Sequence, residues 1–526
     1  MVKTAPETRR NAPLTPPQNS HTMLFLDLPP ELIHSVFAHL SLVDVLSARL
    51  ACRSTAEIGR DHMLSTVYAI YKRDRLERLG EIAAHPMTKN VRSLYFQADR
   101  LREPAMSYKE WEKEREVLVP KEELHGVFSV CDHDLSHDIG EREVRDFARA
   151  TRRYERIKKG QYSRKQLRQA YEKYVATVQD QRDLAQSQAD LSCLVQFFTG
   201  CNKLDKVTLA LSHGIKGNID AVKIAFQDAM IQPFGDSSMI NQGVHQFWLI
   251  AQALRDSGRH LRHFTAIDLS PRIFRSTWDG APTDGLVSHL MTNLREFRIE
   301  FTCLDDRLDM GLTSEEAAQD MEDYYNKGLL AQWLSAGKNL RVIKIKLHMS
   351  NPPFLYPALE HSIGTRTWHK LRELALQQIS TTEDYLVDIL LRHKETLRRL
   401  ALSEIEIIGG TWESTLSRIG GKLTKLKKMK LRGHIRDDQV EYFFGDHELD
   451  QDRVDAFRDS IESYILYGGQ MPELLPDHTA LGPDDGKPIS EVPGYKQPGR
   501  MDDEDAGYTT DGSAISYGSD ELDMRM

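Results

Sequence analysis

The residues with the most obvious chemical potential are those that imitate known ligand sets. "DHDLSHDIGERE", residues 132–143, places Asp132, Asp134, Ser136 and Glu143 at the first, third, fifth and twelfth positions of a calcium loop, with Ile139 at the apolar place. Oxygen donors in that order can wrap a hard cation. The sixth position, where the turn needs glycine, is His137, and no second such loop occurs, so a polar linker between helices is the competing reading. A second candidate is the stretch 141–173, with twelve Lys or Arg against five Asp or Glu. Its segment "RRYERIKKGQYSRKQLRQAYEKY" interleaves cations with tyrosines, a composition that suits phosphate contact. A solvated helical face leaning on acidic surface explains the same residues. Catalytic patterns are missing: the chain has no GxSxG, Walker loop or HExxH, and no GxGxxG after a strand. His21, His34 and His39 have no nameable partner in the sequence. A non-enzyme without cofactor or metal is therefore expected.

The elements that would position any site come from the chain as a whole. Its 526 residues carry a net charge of -9, 40% hydrophobic residues and a mean hydropathy of -0.49, ordinary for a soluble protein of two or three domains or one repeat array. The leader lacks the apolar core of a signal peptide, and no run approaches the roughly 20 apolar residues of a bilayer helix. No membrane is expected, and a cytoplasmic or nuclear location is. Cys52, Cys131, Cys193, Cys201 and Cys303 are odd in number and scattered, as reduced thiols would be. Residues 1–22 are Pro-rich and polar, and residues 470–526 are rich in Pro, Gly, Asp and Glu. Both should be disordered tails.

Near the front, Pro29 and Pro30 before Glu31 read as a helix start, because first-turn amides have no helical partner for proline to remove. Leu32, Ile33, Val36, Phe37 and Leu40 then recur at helical spacing. Ser41 to Asp44 can cap a second helix bearing Val45, Leu46, Ala48, Arg49, Leu50 and Cys52. Two helices this short cannot close a core by themselves. The pattern Leu28-Pro29-x-Glu31-Leu32-Ile33, then Val36-Phe37-x-x-Leu40, Asp44-Val45, Cys52-Arg53 and Ile58 resembles the F-box, the helical module by which substrate receptors dock on the Skp adaptor of SCF cullin-RING ubiquitin ligases. Thr55 stands where many F-boxes carry an aromatic. The resemblance implies adaptor contact by Leu28, Pro29, Leu32, Ile33, Phe37 and Leu40. An ordinary helical hairpin covering the end of the following region is the alternative.

Behind the motif one short phrase recurs: Asn90-Val-Arg-Ser-Leu-Tyr-Phe, Lys203-Leu-Asp-Lys-Val-Thr-Leu, His260-Leu-Arg-His-Phe-Thr-Ala, Asn293-Leu-Arg-Glu-Phe-Arg-Ile, Asn339-Leu-Arg-Val-Ile-Lys-Ile, Lys370-Leu-Arg-Glu-Leu-Ala-Leu, Thr396-Leu-Arg-Arg-Leu-Ala-Leu and Lys425-Leu-Lys-Lys-Met-Lys-Leu. Amphipathic helical stretches precede most of the later copies. The combination resembles an irregular leucine-rich repeat, where each unit adds a parallel strand and an outer helix and no unit buries its leucines alone. With the F-box in front it is similar to fungal F-box proteins as a class. A globular α/β domain with similar strands is the other possibility.

Strand alternation then puts Lys206, Thr208, Ala210, His263, Thr265, Glu296, Arg298, Glu300, Val342, Lys344, Lys346, Glu373, Ala375, Gln377, Arg399, Ala401, Ser403, Lys428, Lys430 and Arg432 on an open concave face. Eight are Lys or Arg and three are Glu, opposite in sign to the whole chain. Lys344, Lys346, Arg399, Lys428, Lys430 and Arg432 are the expected substrate-binding set, suited to an acidic or phosphorylated protein segment, although plain solvated strand residues would look the same. The acidic tail could fold back on that face.

The expected fold is α/β: an N-terminal three-helix F-box followed by an irregular leucine-rich-repeat-like solenoid, a parallel sheet with outer helices. Boundaries fall at a leader 1–22, an F-box 23–65, a linker helix and first repeat-like strand 66–104, a charged helical insertion 105–183, the repeat-like domain 184–469 and the tail 470–526. The expected function is a substrate-recognition subunit of an SCF-type ligase, with the Skp adaptor, cullin through it, and a protein substrate as partners. A repeat-based scaffold outside any ligase, touching nucleic acid through 141–173, is the alternative.

Overall fold

The computed structural model describes residues 25, 28–37, 39–40, 42–63, 65–115, 162–211, 225–231, 243–274, 277–278, 281–301, 325–347, 356–437, 441–444 and 451–473. The leader, most of the acidic tail, the calcium-like loop 132–143 and residues 141–161 of the basic stretch lie outside them.

Three short helices come first: α1 (Pro30–Phe37), α2 (Leu42–Arg49) and α3 (Arg53–Arg60). Helix α1 starts on the second proline, as first-turn chemistry allows. Ile33 and Phe37, one turn apart, meet Val45 in a small core flanked by Leu28, Leu40, Ala48, Ile58 and Met63. Thr55 is buried, and its hydroxyl completes a capping box: Cys52 N donates to Thr55 Oγ1 at 3.2 Å, and Thr55 N donates to Cys52 Sγ at 3.5 Å. The position where an aromatic was expected thus starts α3 by hydrogen bonding. Asn90 Nδ2 donates to Asp61 Oδ1 at 3.3 Å, tying this module to the next part of the chain.

The chain then runs β1 (Thr66–Ile70), α4 (Arg73–Ala84), β2 (Ser93–Gln97), α5 (Tyr108–Glu114), α6 (Arg164–Gln186), α7 (Ala189–Gly200), β3 (Lys206–Ala210), α8 (Val244–Asp256) and β4 (His263–Leu269). A two-stranded ribbon, β5 (Thr277–Trp278) and β6 (Ala281–Pro282), precedes α9 (Asp284–Met291) and β7 (Glu296–Phe301). Next come α10 (Leu329–Ala336), β8 (Val342–Leu347), α11 (Leu359–Ile363), β9 (Glu373–Thr382), α12 (Glu383–Arg392), β10 (Arg399–Ile408), α13 (Trp412–Ile419), β11 (Lys428–Arg436), β12 (Glu441–Phe444) and α14 (Gln451–Tyr467).

One sheet has the order β1-β2-β3-β4-β7-β8-β9-β10-β11-β12. Its first nine strands are parallel and β12 is antiparallel to β11. Strand order follows chain order, so right-handed crossovers place successive helices on the same face. That face is dry. Leu94, Val207, Phe264, Phe297, Ile343, Leu374, Leu400 and Met429 form one buried row in register, with helix residues such as Leu254, Leu290, Leu334 and Leu390 in the same core. Strand β1 has no Leu-Arg phrase before it and was not legible in the sequence.

Backbone hydrogen bonds explain the recurring phrase. The residue after each buried leucine offers a carbonyl that accepts two amides of the next unit: Arg295 O accepts from Arg341 N and Val342 N (2.7 and 3.0 Å), Arg341 O from Arg372 N and Glu373 N (2.7 and 3.0 Å), and Arg398 O from Lys427 N and Lys428 N (2.8 and 3.2 Å). The same step runs through Ser65, Arg92, Asp205 and Arg262. The leucines of the phrase, Leu204, Leu261, Leu294, Leu340, Leu371, Leu397 and Leu426, are buried, with Val91 taking the place in the first copy. Further along, Gln378, Glu404 and Gly433 lie side by side with φ of 58°, 53° and 64°. This row of left-handed residues resets the alternation, so that Leu402 and Ile405 both face the core.

Residues 105–115 and 162–183, expected as a charged insertion, build a second core. Trp111, Leu167, Tyr174 and Phe226 are buried in it, and Trp111 Nε1 donates to Ala229 O at 3.0 Å. Gln181 joins it to the sheet: its Oε1 accepts from Leu101 N (3.0 Å) and its Nε2 donates to Tyr71 O (3.3 Å). Nearby, buried Asp190 accepts from Tyr71 Oη at 2.7 Å and pairs with His245 Nε2 at 2.8 Å. Burial works to raise this carboxyl's pKa, and the hydrogen bonds from His245 and Tyr71 outweigh it, holding the group below its ordinary value.

Candidate functional site

Two surfaces stand out, the first on the three-helix module. Among the described residues nine large hydrophobic side chains are exposed, and five of them, Phe25, Leu32, Val36, Leu46 and Leu50, belong to this segment. Leu32 and Val36 are one turn apart on α1; Leu46 lies on α2 and Leu50 in the turn just after its last residue, Arg49. Leu32 is 52% exposed and Leu50 89%. A short helix with apolar residues on two sides can bury only one of them within its own module, and the other side stays exposed. The six residues singled out from the sequence therefore divide. Ile33 and Phe37 are buried in the module's core, Leu28 and Leu40 flank it, and Pro29 and Leu32 face solvent. Val36, Leu46 and Leu50 were not among the six; the signal that could have found them is their spacing on the opposite side from Ile33, Phe37 and Val45.

The second surface is the open face of the sheet. Thr208, Ala210, Thr265 and Glu373, expected there as exposed, are buried. Glu373 lies between two cations, 2.7 Å from Lys344 Nζ and 2.6 Å from Arg399 Nη2, so those two expected substrate-binding residues are engaged with it. To the other side His263 Nδ1 meets Glu296 Oε2 at 3.0 Å, a bond that holds the Glu296 carboxyl below its ordinary pKa. Arg298 Nε donates to Glu300 Oε1 at 2.7 Å. Across β4 and β7 the open face carries one Arg against two Glu, so the cationic excess lies elsewhere.

Across β8 to β11 the excess persists. These four strands carry seven Lys or Arg and three Glu. Lys346, Lys428, Lys430 and Arg432 form no salt bridge among the described residues, in contrast to Lys344, Arg399 and Arg436, the last of which pairs with Glu406 at 2.9 Å. Register sets the geometry. One rung reads Lys344, Ala375, Ala401, Lys430 and the next Lys346, Gln377, Ser403, Arg432. Small or neutral side chains on β9 and β10 make a floor, and cations on β8 and β11 stand on either side, roughly 14 Å apart at three strand spacings. Burial and the neighbouring Arg432 push the Lys430 ammonium below its ordinary pKa, as crowding of like charges does. Helix α14 closes part of the sheet edge: Glu462 Oε1 accepts from Leu431 N at 2.9 Å.

On α6, Tyr174 is buried and Tyr171 Oη donates to Met106 O at 2.9 Å, so tyrosines of the basic stretch serve the second core. Arg164, Lys165, Arg168 and Lys173 lie on the solvent side. Among the described residues no group of three potential metal ligands occurs, and no helix is long and apolar enough to cross a membrane.

A helical module with exposed leucines, set beside a sheet whose one face is open and cationic, has the layout of a binding protein with two surfaces. Residues 25–65 match the family model for the F-box domain, so the chain carries an F-box domain. F-box domains in general bind the Skp adaptor and hence the cullin complex. No curated protein matches the chain.

Proposed function

We propose that the chain is the substrate-recognition subunit of an SCF-type ubiquitin ligase. Its F-box docks on the Skp adaptor through Leu32, Val36, Leu46 and Leu50, with Leu28, Pro29 and Leu40 at the margin, while Ile33 and Phe37 hold the module's shape from inside. The observation that carries this is the concentration of exposed large apolar side chains in residues 25–50, a surface that only a partner would dry. The sheet, an irregular leucine-rich-repeat array in this proposal, holds an acidic or phosphorylated segment of a protein target between Lys346 on one side and Lys428, Lys430 and Arg432 on the other. The chain itself performs no chemistry and needs no cofactor. Ubiquitin transfer belongs to other subunits, and this one contributes proximity. The setting is the cytoplasm or nucleus. Affinity purification tests it directly: wild type brings down the Skp adaptor and cullin, and Leu28→Ala/Pro29→Ala brings down less. Purification of neither subunit with the wild type ends the proposal.

A further inference from the structure

The charge of this chain is unevenly placed. Residues 474–526 contain twelve Asp or Glu and four Lys or Arg, a net of -8 out of the whole chain's -9, with clusters at Asp502, Asp503, Glu504, Asp505 and at Asp520, Glu521, Asp523. The opposite pole is Lys346, Lys428, Lys430 and Arg432, cations on β8 and β11 that form no salt bridge among the described residues. The last described helix ends beside the cationic strand β11. Helix α14 ends against the turn that leads into β11: Gly421 N donates to Ile465 O at 3.2 Å, and the Gly468 backbone touches Gly421. The described chain continues only to Glu473.

We infer that the acidic segment 502–523 docks in cis on the cationic side of the open sheet face and competes there with acidic targets. This rests on the proposal that the face accepts acidic segments. Reach does not limit it: 28 residues lie between Glu473 and Asp502, a contour of up to roughly 95 Å, against the roughly 14 Å that separate β8 from β11. A tethered segment acts at an effective concentration on the order of 1 mM. If the same acidic sequence binds with a dissociation constant of about 0.1 mM, the tether weakens a competitor about tenfold. Attraction between charges across an open face is screened by ions, so salt beyond about 0.5 M should abolish the effect.

The test uses the full chain and fluorescein-labelled decaglutamate as probe, read by anisotropy in 50 mM NaCl. Neutralising the segment (D502N/D503N/E504Q/D505N/D520N/E521Q/D523N) should tighten probe binding about tenfold, and the difference should vanish in 500 mM NaCl. In the wild type, zero-length carbodiimide coupling should join peptides containing Asp502–Asp505 to peptides containing Lys428 or Lys430. Lys428→Glu/Lys430→Glu/Arg432→Glu, with an unchanged thermal melt, should lose both the coupling and the probe. If neutralisation leaves affinity unchanged and no such coupling forms while the probe still binds through the three cations, cis docking is overturned and the acidic-target proposal stands. If the probe binds no variant, or binds the triple reversal as well as wild type, both are overturned.

Discussion

The exposed leucines of the F-box allow a prediction with a magnitude. Leu32 keeps about half of its surface in water and Leu50 nearly all of it. Full burial of a leucine stabilises by about 2 kcal/mol, so docking that dries both side chains gains about 1 kcal/mol from Leu32 and about 2 kcal/mol from Leu50. Leu32→Ala/Leu50→Ala should therefore weaken binding to the purified Skp adaptor by about 3 kcal/mol, roughly a hundredfold. Neither residue belongs to the module's small core, so the urea midpoint of the free protein should stay where it is. Phe37→Ala is the contrast. That side chain is buried against Ile33 and Val45, and its loss should cost about 3–5 kcal/mol of module stability. The assay is titration calorimetry for binding, paired with urea unfolding followed by hydrogen exchange of α1 to α3 amides. Unchanged affinity in the double variant refutes the assignment of these leucines to the adaptor surface. So does a double variant that unfolds, since the residues would then be core.

Three further outcomes rest on interior contacts. Thr55→Val keeps the shape of the side chain and removes the hydroxyl that accepts the Cys52 amide and completes the capping box at the start of α3, so exchange of α3 amides should quicken by an amount equivalent to about 1 kcal/mol; unaltered protection would show the capping box to be energetically silent. Asp190 has its folded pKa held below the ordinary value near 3.9, so its ionised form contributes stability that is complete above that value and is lost as pH falls through the lower folded one. Asp190→Asn should thus lower the urea midpoint most at pH 6–7 and progressively less below pH 4, and a deficit of constant size across that range would contradict the ionic role. At Gly420 an added Cβ would lie 2.4 Å from Tyr464 Cζ. Gly420→Ala should lift α14 away and expose the Leu431 amide that Glu462 now holds, speeding its exchange; full protection of that amide would show that α14 accommodates the methyl group.

The repeat was legible because its residues answer to local rules. A leucine that must be buried, followed by a residue whose carbonyl must take two amides, leaves the same mark at every strand. Strand β1 left a weaker mark: Leu64 leads it in the chain, but Ser65, which supplies the carbonyl, stands where most later copies have arginine or lysine. The second core is hidden in the sequence for a different reason. Tyr171, Tyr174 and Leu167 sit among so many cations that the stretch reads as a charged face, and only contact with Trp111 and Phe226, far away along the chain, gives its apolar side a purpose. Thr55 likewise reads as a gap in packing, and only its bonds to Cys52 show a cap.

By itself the amino-acid sequence determined the helical F-box motif, the βα rhythm and the sign of the open face, because helix spacing, strand alternation and net charge are properties of neighbours in the chain. The tertiary structure alone decided which apolar residues of the F-box are core and which remain exposed, since a two-sided helix carries no label for the side that gets covered. It also decided which cations are paired: Lys344 and Arg399 meet Glu373 across three strands, and charge pairing between residues so distant in sequence is set by sheet register.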